Sequence, residues 1–131
     1  MADTANTQVL RNGPRDYVAN FTYEYNDTGE SAVKKVDISA LTDANGATAT
    51  YSAIDRIDYD VSTGMTVAVE FDATANDEIA VLFGQGTFDW TDLGGLVDPK
   101  SAGTTGDIKF TTVGHAAGDT YTITLYIRPK A

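Results

Sequence analysis

The single histidine, His115, lies in "TTVGHAAGDT", between a glycine and two alanines. An imidazole is the side chain best suited to general acid–base work near neutral pH. The chain has no cysteine for it to activate, and no serine or threonine is tied to it by a recognisable spacing. The expectation is a turn residue between two closing strands. The 19 acidic residues raise a second possibility, oxygen ligation or paired-carboxylate chemistry. "AIDRIDYDV" carries Asp55, Asp58 and Asp60, and Asp72, Asp77 and Glu78 follow. Asp58 and Asp60 share one strand face, but their spacing does not match the calcium loop pattern. Arg56 on the same face offsets their charge, so they read as a solvated outer face. Two carboxylates for glycoside hydrolysis can always be chosen among 19, and that availability carries no weight.

"FGQGTF" is glycine-rich but lacks the Lys-Ser/Thr of a phosphate loop. Asn20 and Asn26 head Asn-x-Thr triplets, which signify little without a secretory signal. Trp90, Tyr126 and Tyr23 could form a carbohydrate-stacking platform, although tryptophan more often anchors a core or an interface. No catalytic set, cofactor site or metal site emerges from the residues. The expectation is a protein that binds or assembles.

The elements that must position these residues are strands. In "YVANFTYEY" Tyr17, Ala19, Phe21, Tyr23 and Tyr25 share one face, a period of two that reads as a half-buried strand. "NDTGES" then leads into "AVKKVDI", which predicts a hairpin. "AIDRIDYDV", "STG" and "MTVAVEF" predict a second, tighter one. "EIAVLFG" is apolar on both faces and reads as a central, doubly covered strand. Residues 41–50 read as a loop, and residues 85–106 as a packed loop or a short strand with a long excursion. "DIKFTTV" and "TYTITLYIR" close the chain.

No helical stripe of ten residues is present. The pattern predicts an all-β, antiparallel β-sandwich, jelly-roll-like or Ig-like, or a partly closed barrel, as a single domain. Residues 1–16 form an N-terminal arm or edge strand, and residues 17–131 the sandwich. The expected core includes Phe21, Ile57, Val67, Val69, Val81, Ile123 and Leu125.

Composition narrows the function classes. The formal net charge is −10 with a pI near 4.2. A field of that sign disfavours nucleic acid and anionic lipid as partners. No apolar stretch reaches the length of a membrane helix. The opening "MADTANTQVLRNG" lacks the pattern of a secretory signal, which predicts cytoplasmic synthesis.

The phrases "ANTQVLRNGPRDYVANFT", "GESAVKKVDIS", "FDWTDLGGLVDP" and "GTTGDIKFTTVGHAAGDTYTITLYIR" resemble a family of structural proteins of tailed bacteriophages of aquatic bacteria. The resemblance spans nearly the whole chain and includes no catalytic motif. It implies a non-enzymatic decoration or cement protein on the outer surface of the capsid, made in the host cytoplasm. The implied partner is the major capsid protein of the same phage, with self-association at symmetry axes and no direct nucleic-acid or membrane contact. The contact residues expected under it are Val9, Arg11, Arg15, Phe88, Trp90 and Leu93. The alternative is a tail- or neck-associated, or carbohydrate-binding, β-sandwich serving host adsorption.

Overall fold

The computed structural model describes residues 3–13 and 15–131. Ten strands follow one another: β1 (Thr4–Asn12), β2 (Tyr17–Glu24), β3 (Val33–Val36), β4 (Tyr51–Val61), β5 (Thr66–Phe71), β6 (Asp77–Leu82), β7 (Gln85–Asp89), β8 (Leu96–Val97), β9 (Ile108–Val113) and β10 (Thr120–Lys130). Two single 3-10 turns, Ile38–Ala40 and Thr91–Leu93, are the only helical residues among those described. The strands form two antiparallel sheets. The first has the order β1-β2-β10-β4-β7, with β8 also on β4, and the second β3-β9-β5-β6. The architecture is an all-β, jelly-roll-like sandwich in one domain.

The core is the row of inward residues that period two supplies. Phe21, Ile57, Ile123 and Leu125 from the first sheet meet Val67, Val69, Phe71 and Phe110 from the second, all fully buried. Phe21 and Phe110 meet edge to face at 5.5 Å between centroids, and Phe110 meets Tyr121 in the same way at 5.7 Å.

Both predicted hairpins are corrected. β2 pairs with β1 and β10, while β3 pairs with β9 in the other sheet. β4 pairs with β10, β7 and β8, while β5 pairs with β6 and β9. Each of these connections crosses from one sheet to the other. A crossing loop and a hairpin loop use the same Gly/Asp/Asn residues, so the turn chemistry cannot tell them apart.

β6 is also corrected, from central strand to edge. Its bulge between Val69 and Glu70 of the partner register turns Ala80 and Leu82 toward the core. Val81, expected in the core, is 42% exposed, and Phe83 just beyond it is 69% exposed. Only Leu82 of this run is fully buried.

A buried ion pair lies inside the sandwich. The Glu30 and Lys35 side chains are 5% and 6% exposed and pair at 2.5 Å. The Tyr121 hydroxyl donates to Glu30 Oε1 at 2.6 Å, and Thr112 Oγ1 accepts from the Glu30 N–H at 2.9 Å. The Lys35 ammonium also stands over the Phe110 and Tyr121 rings. Burial, then the Glu30 charge and hydrogen bond, push the Tyr121 hydroxyl far above its ordinary range. These groups satisfy one another, as a buried ion pair requires.

Candidate ligand-binding face

The register of the first sheet assembles its outer face in transverse rows. Arg11, Val18, Tyr126, Arg56 and Asp89 are successive partners across β1, β2, β10, β4 and β7. The next row is Gln8, Asn20, Thr124, Asp58 and Thr87, and the next Asn6, Thr22, Thr122, Asp60 and Gln85. Apart from Val18, each of these fifteen positions carries a hydroxyl, amide, carboxylate or guanidinium group. The face comes from the even alternation of "TYTITLY" against "RIDYD", which sends the Ile and Leu inward and the Thr, Asp and Tyr126 outward.

Asp58 is the hub. Its Oδ1 accepts from Arg56 Nε at 2.9 Å and from Thr87 Oγ1 at 2.9 Å, and its Oδ2 from the Tyr126 hydroxyl at 3.0 Å. The Arg56 guanidinium stands over the Tyr126 ring, 5.4 Å from its centroid. Burial alone would raise the Asp58 carboxyl, but the three hydrogen bonds outweigh it and hold the group below its ordinary range. The Tyr126 hydroxyl is pushed up by burial and by its bond to Asp58. At one side Arg128 Nε bonds both oxygens of Asp55 at 3.0 and 2.8 Å.

Three concavities lie on this face, one of them of about 370 Å³ at the end lined by Asn6, Thr22, Thr120 and Thr122, and the other two beside Asp58. A cleft of about 250 Å³ runs from Asp16 and Val18 past Tyr126 and Arg56 to Asp89 and Thr91. A shallower groove of about 320 Å³ follows Thr122, Thr124, Asp58, Gly86 and Thr87. A Cβ at Gly86 would stand 2.8 Å from the Tyr59 hydroxyl, so a larger residue there would shift that side chain.

The sequence-level candidates fall in separate places. Val9 and Arg11 are exposed on β1, and Arg15 is exposed in the connection that follows. Of the expected arm or edge strand over 1–16, residues 1, 2 and 14 lie outside the described residues. Phe88, Trp90 and Leu93 lie at the opposite edge, where the Phe88 and Trp90 rings stack at 5.4 Å and Leu93 is 80% exposed. The six are therefore not one patch.

The expected platform of Trp90, Tyr126 and Tyr23 is not assembled either. Tyr23 is buried on the inner face, stacked on Tyr121, and Trp90 packs against Phe88. Only Tyr126 faces the cleft. His115 sits in the β9–β10 turn, its ring 4.3 Å from that of Tyr25 and its Nδ1 3.3 Å from Thr112 Oγ1. Among the described residues, no group of three or more His, Cys, Asp or Glu is placed to hold a metal. No helix among them is long and apolar enough to cross a membrane.

No family model matches the chain, and no curated protein matches it. Among solved structures, the chain is similar to a cupin-superfamily protein from Desulfitobacterium hafniense, with 14% identity and a TM-score of 0.33. The likeness covers 98% of this chain and 79% of that one. It is too slight to carry an argument about fold or activity. No family model or curated protein supports the resemblance drawn from the loop phrases, and the similar solved structure is that of a cupin-superfamily protein. The reading as a virion decoration protein, and the capsid-surface location that went with it, are corrected accordingly.

The phrases that suggested that family have a physical source of their own. In "FDWTDLGGLVDP" Asp89 Oδ1 accepts from the Thr91 N–H, and Gly94 and Gly95 take φ of 86° and 83°. In "TTGDIKFTTVGHAAGD" Gly106, Gly114 and Gly118 take φ of 80°, 73° and 88°. These are the residues that tight turns of a sandwich require, whatever the protein does.

Proposed function

We propose that this domain binds rather than catalyses, and that its ligand is a glycan laid across the outer face of the first sheet. The observation that carries the reading is the Tyr126–Asp58–Arg56 arrangement at the join of the cleft and the shallower groove. A sugar ring offers an apolar C–H face and a rim of hydroxyls. It is held by one planar ring together with fixed donors and acceptors. Tyr126 supplies the ring, Arg56 the donors, and Asp58, Asp89 and Asn20 the acceptors. The net charge of −10 repels uronic and sialic acids and favours neutral or aminated sugars.

The test is retention of the full chain on immobilised neutral, aminated and acidic glycans, with Tyr126→Ala alongside. Retention on a neutral or aminated glycan is expected, with a loss of at least about tenfold in Tyr126→Ala. No retention on either class, or equal retention by the variant, overturns the reading.

A second reading rests on the β6–β7 edge, where Phe83, Phe88 and Leu93 are exposed apolar side chains that suit a protein partner. Under it, Phe83→Ser rather than Tyr126→Ala abolishes association.

A further inference from the structure

Away from the outer face, three polar side chains between the sheets each keep one buried oxygen without a partner among the described residues. Asp98 follows β8, and its N–H donates to the Ser52 carbonyl at 3.0 Å, so the two residues are neighbours across β4 and β8. Ser52 lies two residues before Ile54, and Asp98 two residues after Leu96, the pair that packs on the core. Alternation therefore sends both side chains inward. Ser52 is fully buried and Asp98 is 2% exposed.

From the other sheet, Asp77 opens β6 opposite the fully buried Phe71, which places it on the inner side as well. The segment after Asp98 bridges the two acids. The Lys100 N–H donates to Asp98 Oδ1 at 2.8 Å, and Ser101 Oγ donates to Asp77 Oδ1 at 2.9 Å. That leaves Asp98 Oδ2, Asp77 Oδ2 and Ser52 Oγ, each buried and each without a hydrogen-bond partner among the described residues. None of the ion pairs among those residues involves either acid. The nearby Lys100 ammonium stands instead over the Tyr51 ring at 4.3 Å.

Buried polar atoms in a folded protein are almost always satisfied, and two neighbouring carboxylates without a cation repel one another. We propose that Asp77, Asp98 and Ser52 form a structural site for a hard divalent cation, calcium in the first instance, which ties the two sheets together at this end. The donor set is oxygen only, which suits calcium or magnesium and not zinc or copper. Backbone carbonyls and water complete the coordination.

The experiment is thermal unfolding of the full chain, stripped with a chelator, in CaCl₂, in MgCl₂ and in NaCl of matched ionic strength. Calcium is expected to raise the midpoint by at least about 3 °C beyond sodium. Asp98→Asn should abolish that response, and Ser52→Ala should reduce it. Asp92→Asn, at an exposed acid elsewhere, should leave it unchanged. Calorimetric titration of wild-type protein with CaCl₂ should show about one site, a readout that does not depend on any variant folding. No calcium response beyond sodium, or an undiminished response in Asp98→Asn, overturns the proposal. So does an Asp98→Asn variant more stable than a calcium-insensitive wild type, because the pair would then share a proton.

Discussion

Asp58 illustrates what single residues show and conceal. As one of an alternating set of acids it reads as solvated, and it does face outward. The bonds that make it a hub come from Thr87 and Tyr126, 29 and 68 residues away in sequence, and only the strand register brings them together. Its folded carboxyl is held low, so its contribution to stability is present above the unfolded value of about 4 and is lost as pH falls through the folded value. Asp98 has the opposite sign. Its folded carboxyl is raised, so its own contribution to stability is greatest below about pH 4 and declines as pH rises through the folded value. Urea midpoints measured in chelator should therefore gain less as pH rises above about 4 in wild type than in Asp98→Asn. Asp98 was hidden because Asp-Pro reads as a turn, and nothing local announces that its side chain points inward.

At the scale of elements, the period-two runs gave most strands and their inward faces, as Phe21, Ile57 and Ile123 illustrate. Pairing was not legible, because the strand partners of β2 and β4 are set by the closing strand β10. β1 is exposed along its whole length and held by its pairing with β2. A second tie is Asp3, whose carboxylate accepts from the N–H groups of Asn26, Asp27, Thr28 and Gly29 and from the Tyr23 hydroxyl. Burial opposes the Asp3 charge, but the bonds from Tyr23, Asp27, Asn26 and Thr28 prevail and hold the carboxyl far below its ordinary range. Asp3→Ala should speed amide exchange along β1 while β10 keeps its protection, as read by hydrogen exchange. The Glu30–Lys35 pair belongs to the same scale. Lys35→Ala leaves a buried carboxylate alone and should cost about 3–5 kcal/mol in chemical denaturation. Replacing both partners together, Glu30→Gln with Lys35→Met, should cost much less.

For the molecule as a whole, two sheets share one apolar interior and leave the first sheet's outer face to polar groups. Removing volume at the centre tests that frame: Leu125→Ala should cost about 2–5 kcal/mol by urea unfolding. A parent-like midpoint would mean that the register of β10 is wrong. The acidic charge was plain from composition, and it disfavours anionic partners without naming a partner. The central claim is that the outer face of the first sheet is the binding surface. The most direct measurement is a two-dimensional amide spectrum of the labelled chain titrated with a retained neutral or aminated glycan. Shifts are expected to centre on Arg56, Asp58, Thr124 and Tyr126, and to vanish in Tyr126→Ala. Shifts confined to the β6–β7 edge, or none at saturating glycan, would contradict it.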